Sequence, residues 1–212
     1  MFQHFFMFFI FLFTNETNTY AQDFEGKISF EKQSTTDTLY YQYYVKGDKI
    51  RFEELNRNRK VIKYSIIDFK NFKMFDINPD RKIFMPVSIQ PYTAPKVEDL
   101  EIIKSENFQV INGYKCHQWR VINRTKNTDI QYWVTKDNFL FFNELIRIVN
   151  RTDKNTLYYL QIPDNIGYLP MLSVERSLLR EFRMQLTVTE IKKENLDVSM
   201  FELPKGYTIF QH

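Results

Sequence analysis

The sequence predicts a mainly β, α+β protein: one large curved antiparallel sheet in meander order, with one or two helices packed on its concave face. Three observations carry this. Aromatic residues make up 17% of the 212 residues, with 21 Phe and 13 Tyr, and aromatic side chains favour pleated, half-buried surfaces. Runs of alternating apolar and polar residues recur along the chain, the mark of strands with one wet face. Tight-turn pairs, Gly47-Asp48 and Asn112-Gly113, sit between such runs, as hairpins require. A sheet of roughly ten strands curls or closes rather than lying flat.

In order, Phe24, Gly26, Ile28 and Phe30 alternate with charged or small polar residues, and Gly26 inside that strand implies a bend or a close backbone approach. Leu39 to Lys46 and Lys49 to Leu55 form a hairpin about Gly47-Asp48. Val61 to Asp68, Lys73 to Ile77 and Lys82 to Val87 continue the meander, with Pro79 presetting the turn between the last two. Gln90 to Asp99 holds Pro91 and Pro95 without periodicity and reads as a loop or lid. Glu101 to Phe108, Tyr114 to Ile122 and Ile130 to Thr135 follow as strands. A three-residue turn at Thr125 to Asn127 pairs Trp119 with Trp133 on one face. Asp137-Asn138 can cap a helix over Phe139 to Val149, where Phe142, Leu145, Ile146 and Val149 have the spacing of a buried stripe. Leu157 to Tyr168 is ambiguous, broken by Pro163 and Gly167. Leu172 to Arg176 and Arg183 to Ile191 form the last hairpin. The stretch Leu186 to Tyr207 reads as a final strand with Leu186 and Val188 on one face and Ile191 on the other. A polar turn and a tuck of Phe201 and Leu203 then seal the sheet's last edge.

Met1 to Ala21 is set apart from the fold. Phe5 to Phe13 is an unbroken apolar run, too short for a bilayer span of about 20 residues but suited to the h-region of a signal peptide. Small residues at Thr19 and Ala21 place cleavage after Ala21, leaving a single domain over 22–212. The expected product is exported, periplasmic or secreted, and not a lipoprotein, because no Cys stands at the cleavage point. Cys116 is the only cysteine, so no intrachain disulfide is available.

The formal net charge is +3. Removing residues 1–21 takes away Glu16 and neither Lys nor Arg, leaving +4. Acids and bases alternate without blocks, which excludes a nucleic-acid stripe and leaves room only for transient contact with an anionic membrane surface. His117 adjoins Cys116, and neighbours on a strand point to opposite faces, so the two do not converge as nucleophile and base. GxSxG, P-loop, GxGxxG and HExxH patterns are absent. No catalytic residue, metal ligand or cofactor is expected. Tyr41, Tyr43, Phe52, Trp119 and Trp133 are the candidate lining of an apolar ligand site; as core residues they serve equally well, and an open apolar volume separates the two cases.

The run T-E-I-K-K…L-D-x-S-x-F-x-L-P-x-G-Y from Thr189 to Tyr207 resembles a domain of unknown function common in exported Gram-negative proteins. F-E-G-x-I at Phe24, Y-x-x-x-V-K-G-D-K-I-R-F from Tyr41, G-Y-K-C at Gly113 and Y-W-V-T at Tyr132 fit it in order. That domain looks like a relative of the LolA/LolB lipoprotein carriers. The resemblance implies a half-open barrel closed by helices over an apolar cavity, and a handler of acyl chains or lipoproteins. It carries over no catalytic residues. The apolar, basic stretch Leu169 to Arg183 departs from the family's usual Gly-rich, polar one. The alternative is an envelope interaction protein whose interior is filled by its own side chains; a hydrolytic enzyme is the third reading.

Overall fold

The computed structural model describes residues 23–93, 99–149 and 153–210. The targeting segment expected over 1–21, its cleavage point, and residues 94–98 of the expected loop lie outside the described residues.

Two meanders make one curved, open sheet of twelve strands. The first comprises β1 (Gly26–Ser34), β2 (Thr38–Lys46), β3 (Lys49–Leu55), β4 (Val61–Asp68), β5 (Lys73–Asn78) and β6 (Ile83–Val87). The second comprises β7 (Glu101–Ile111), β8 (Tyr114–Asn123), β9 (Thr128–Lys136), β10 (Tyr168–Arg176) and β11 (Phe182–Lys193). The short β12 (Thr208–Ile209) pairs in parallel with β6, and the order is β12-β6-β5-β4-β3-β2-β1-β11-β10-β9-β8-β7. β11 is therefore not the closing edge that the sequence pattern suggests. It is a central strand, hydrogen-bonded to β1 on one side and β10 on the other, and it welds the two meanders together. Edge position cannot be read from alternation, because a wet face and a wet edge are different things. The connection after β6 leads to β7, from near one end of the strand order to the other.

Bulges bend the sheet. Ser29 pairs with Glu190 and Phe30 with Val188, so Thr189 is the extra residue. Simple alternation puts Val188 and Ile191 on opposite faces; the bulge turns both toward the same core, Val188 buried and Ile191 packed against it. A second irregularity lies between Pro170 and Leu172 where β10 meets β9. Proline has no N–H for the ladder, and this marks the stretch where the sequence departs from the family pattern. The β8–β9 connection spans four residues, with Asn123 opposite Thr128 and Asn127 left-handed at φ 48°. That register sets Trp119 against Tyr132 and Gln118 against Trp133. A one-residue slip flips every side chain, so the two tryptophans are on opposite faces and do not stack.

The concave face of the second meander is filled. Helices α1 (Leu140–Val149) and α2 (Lys154–Tyr159) cover it. Phe142, Leu145 and Ile146 of α1 and Tyr159 of α2 bury against Trp119, Val121, Ile130, Tyr132 and Val134. Tyr159 is the hub, its ring 5.5 Å from Tyr132, 5.6 Å from Phe142 and 6.4 Å from Trp119. Among the described residues no helix is long and apolar enough to cross a membrane.

The C-terminal tail wraps onto the other face. A 3-10 turn, Val198–Phe201, packs on β3 with Phe201 buried, while Leu203 stays 37% exposed instead of tucking in. Arg51 lies 3.8 Å over the Tyr64 ring and donates to the carbonyl of Met200 at 3.3 Å. Tyr64, Ile66 and Ile77 form a small second cluster joined by Tyr207.

Glu25 ties this tail to the start of β1. Its carboxylate accepts from Lys46 Nζ at 2.6 Å and from the Leu196 N–H at 3.0 Å. The Lys46 hydrogen bond first, then the Leu196 N–H, hold its pKa below the ordinary 4.5. A depressed carboxyl pKa contributes stability above the unfolded value and loses it as pH falls through the folded one. The Leu196 amide resonance is therefore expected to titrate below pH 4.5, and Glu25→Gln to abolish that titration in a two-dimensional NMR series. An amide shift that is flat with pH in the unaltered protein contradicts the tether.

Candidate functional site

The first meander is not filled. Between its concave face, the end of α1 and the start of α2 lies a cavity of about 770 Å³. Phe30, Tyr41, Tyr43 and Phe52 form its aromatic wall. The two-residue turn at Gly47-Asp48 pairs Lys46 with Lys49 and hence Tyr43 with Phe52, while Tyr41 lies opposite Phe30. The period of two does the rest: all four rings share one face. Their centroids are 5.4 Å apart for Phe30–Tyr41, 4.4 Å for Phe30–Tyr43, 5.5 Å for Tyr41–Phe52 and 5.1 Å for Tyr43–Phe52. Each such contact contributes about 0.5–1.5 kcal/mol beyond burial, so the four rings support one another.

Farther along β3 to β5 the same face becomes polar through directly opposed pairs. Glu54 faces Lys63 with a 2.9 Å ion pair, and Ser65 donates to Asp76 at 2.6 Å. Met74, Met85 and Met184 also line the cavity, and thioether side chains adapt to irregular ligands. The helical side supplies Ile148, Val149, Asp153, Asn155 and Thr156. Asp153 caps α2 by accepting from the Asn155 N–H at 2.9 Å, and its other carboxylate oxygen pairs with Lys32 of β1. Burial, with Glu54 and Asp153 nearby, pushes the Tyr41 phenol up to about 12. Burial raises Tyr43 further, with Tyr41 and Asp153 adding to it. Both stay neutral hydrogen-bond donors at physiological pH.

Three of the five residues singled out from sequence, Tyr41, Tyr43 and Phe52, line this cavity. Trp119 and Trp133 do not. Trp119 is 4% exposed in the filled half, 4.7 Å from the Tyr168 ring. Trp133 is half-buried on the face opposite Tyr132, opposite Leu172 in the ladder. The reason is the β8–β9 register together with the helices, which occupy the half of the sheet where Trp119 lies. Lys32, Asp153, Asn155, Met184 and Leu186 were missed. Leu186 and Lys32 carry a signal in hindsight: they alternate in phase with Val188 and Phe30, and the β1–β11 ladder sets them opposite each other. Asp153 and Asn155 carry none, since a six-residue helix lacks a full period.

Cys116 is fully buried, and burial pushes its thiol up to about 11, away from reactive thiolate. His117 is half-buried beside Phe108, ring centroids 6.3 Å apart. Among the described residues no group of three or more His, Cys, Asp or Glu is placed to hold a metal ion.

Comparison with solved structures finds likenesses at low sequence identity. An uncharacterised conserved protein from Thermus thermophilus is similar at a TM-score of 0.52 and 11% identity, over 89% of this chain and 91% of that one. MucB is similar at a TM-score of 0.50 and 8% identity, over 88% of this chain, which spans 60% of MucB. An outer membrane lipoprotein-sorting protein domain from Vibrio parahaemolyticus matches at a TM-score of 0.33 and 8% identity, over 83% and 87% of the two chains. At such identities the likeness to the first two concerns the fold alone. No curated protein matches the sequence significantly. The sequence does match one family profile over residues 24–207, and the chain belongs to that family, the domain of unknown function DUF4412.

Proposed function

We propose that the chain is an exported, non-catalytic binding protein of the cell envelope that holds an acyl chain, free or as part of a lipoprotein. The observation that carries this reading is the open volume of about 770 Å³ behind a wall of four aromatic rings. That is within the usual range of ligand pockets, about 300–1,000 Å³. A sheet built only for packing or interaction would be filled on both meanders, as the second one is. Each buried methylene contributes roughly 0.8 kcal/mol, so an alkyl chain suits such a wall. The cavity's carboxylates Glu54, Asp76 and Asp153 are engaged by Lys63, Ser65 and Lys32, which favours holding over acid–base chemistry.

The test is saturable binding of the apolar fluorophore N-phenyl-1-naphthylamine by the purified protein, followed by its displacement with 1-monolauroylglycerol. One-to-one displaceable binding is expected. Leu186→Trp places an indole in the cavity and is expected to weaken binding by about tenfold or more. Absence of saturable binding, with native mass spectrometry showing no co-purified lipid, ends this reading.

A further inference from the structure

Hairpin alternation sorts charge in a way the linear sequence hides. Five strand connections, 35–37, 56–60, 79–82, 124–127 and 177–181, emerge at one end of the sheet. Residues 56–60 and 79–82 supply Arg57, Arg59, Lys60, Arg81 and Lys82 against Asp80. Residues 124–127 and 177–181 supply Arg124, Lys126 and Arg180 against Glu181, and 35–37 adds Asp37. All these cations are exposed, and their surplus over these acids exceeds the +3 of the whole chain. At the opposite end, residues 47–48, 69–72, 112–113, 137–139 and 194–197 carry Lys70 against Asp48, Asp137, Glu194 and Asp197. Charge is therefore separated along the strand direction.

The basic connections are tied into one rim. Lys60 pairs with Asp80 at 3.0 Å and Arg57 with Asp37 at 3.2 Å, each joining neighbouring connections. Ser34 lies opposite Met184 in the β1–β11 ladder, and the Leu178 N–H donates to Asn127 Oδ1 at 2.9 Å. Among the described residues Arg81, Lys82, Lys126 and Arg180 are in no ion pair. Beside Arg180, Leu178 and Leu179 are 38% and 82% exposed. The cavity reaches this same end, because Glu54, Asn78 and Ile83 line it within two residues of the rim.

We propose that this rim docks the protein on an anionic lipid bilayer, its cations at the headgroups and the Leu178-Leu179 tip in the interface. Each cation held near such a surface adds to binding, and apolar side chains among them add buried area. A nucleic acid would use the cations and leave the two leucines against its phosphates; a bilayer uses both. Docking by this end brings the part of the cavity beside Glu54, Asn78 and Ile83 closest to the lipid. The docking does not require an occupied cavity, so it and the fluorophore displacement fail independently.

The test is a nitrobenzoxadiazole label on Leu179→Cys, with the same label on Asp48→Cys at the opposite end as control. Cys116 is fully buried and stays out of the reagent's reach. The purified full chain is titrated with vesicles of phosphatidylcholine, alone or with about one-third phosphatidylglycerol. The Leu179→Cys label is expected to brighten and shift to the blue with the anionic vesicles alone, and to revert in about 0.5 M NaCl. The Asp48→Cys label is expected to stay unchanged. The readout is local, so vesicle binding by the apolar run Phe5–Phe13 does not mimic it. Adding Lys126→Gln with Arg180→Asn is expected to weaken the titration by about tenfold or more. Lys70→Gln with Lys73→Gln removes the same charge from the other end and is expected to change it by about twofold at most. A Leu179→Cys label that ignores both vesicles or answers both equally overturns the rim. So do an equal response at Asp48→Cys, equal effects of the two double variants, and a stronger response to duplex DNA than to anionic vesicles.

Discussion

Gly26→Ala is expected to cost about 3 kcal/mol or more, a large share of a typical domain's total stability. A Cβ built at Gly26 would meet the carbonyl oxygen of Lys192 at 2.1 Å, and the residue's φ of +146° is one that side chains rarely adopt. The contact is backbone against backbone, so no rotamer change relieves it. Gly26 pairs with Lys193 of β11 and Val45 of β2, which puts the clash where the two meanders join. The backbone conformation adds roughly 1–3 kcal/mol on its own. Urea unfolding followed by circular dichroism should show a lower midpoint with an unchanged slope. Gly47→Asn is the contrast: its φ is +53°, nothing lies within 4 Å of the added Cβ, and asparagine tolerates that region. A Gly26→Ala variant as stable as Gly47→Asn would show that the junction can move apart freely.

Tyr159→Ala is expected to cost about 3–5 kcal/mol, in line with large-to-small changes of buried aromatics. Tyr159 is 1% exposed, touches rings from α1, β8 and β9, and donates its hydroxyl to the Tyr168 carbonyl at 3.1 Å. With Tyr158 it anchors α2 in the core, a helix too short to persist without tertiary packing. Tyr159→Phe keeps the packing and loses the hydrogen bond, for about 1 kcal/mol. Thermal unfolding of both variants separates the two contributions. Similar losses for Phe and Ala would mean the hydroxyl, not the ring, holds the helix.

These variants touch features of unequal legibility. Gly26 was readable, because a glycine inside an alternating strand has few other reasons to be there. The Gly47-Asp48 hairpin was readable with its register, and that register places Tyr41, Tyr43 and Phe52 on one wall. The tryptophan pair was misread because the β8–β9 loop has four residues rather than three, and one residue of loop length reverses every face. β11 was misplaced for a different reason: pairing with β1, far away in the chain, leaves no local trace.

What the residues determine alone is local: the alternating runs, the turn types, the amphipathic stripe of α1, and through them a curved antiparallel sheet with helices. Their periods of two and 3.6 are properties of neighbouring residues. Tertiary structure decided which half of that sheet the helices fill and which half stays open. It also decided that Lys32 meets Asp153. Those outcomes depend on long-range strand order and on bulges, whose cost and gain are settled between segments more than a hundred residues apart, such as Phe30 and Val188.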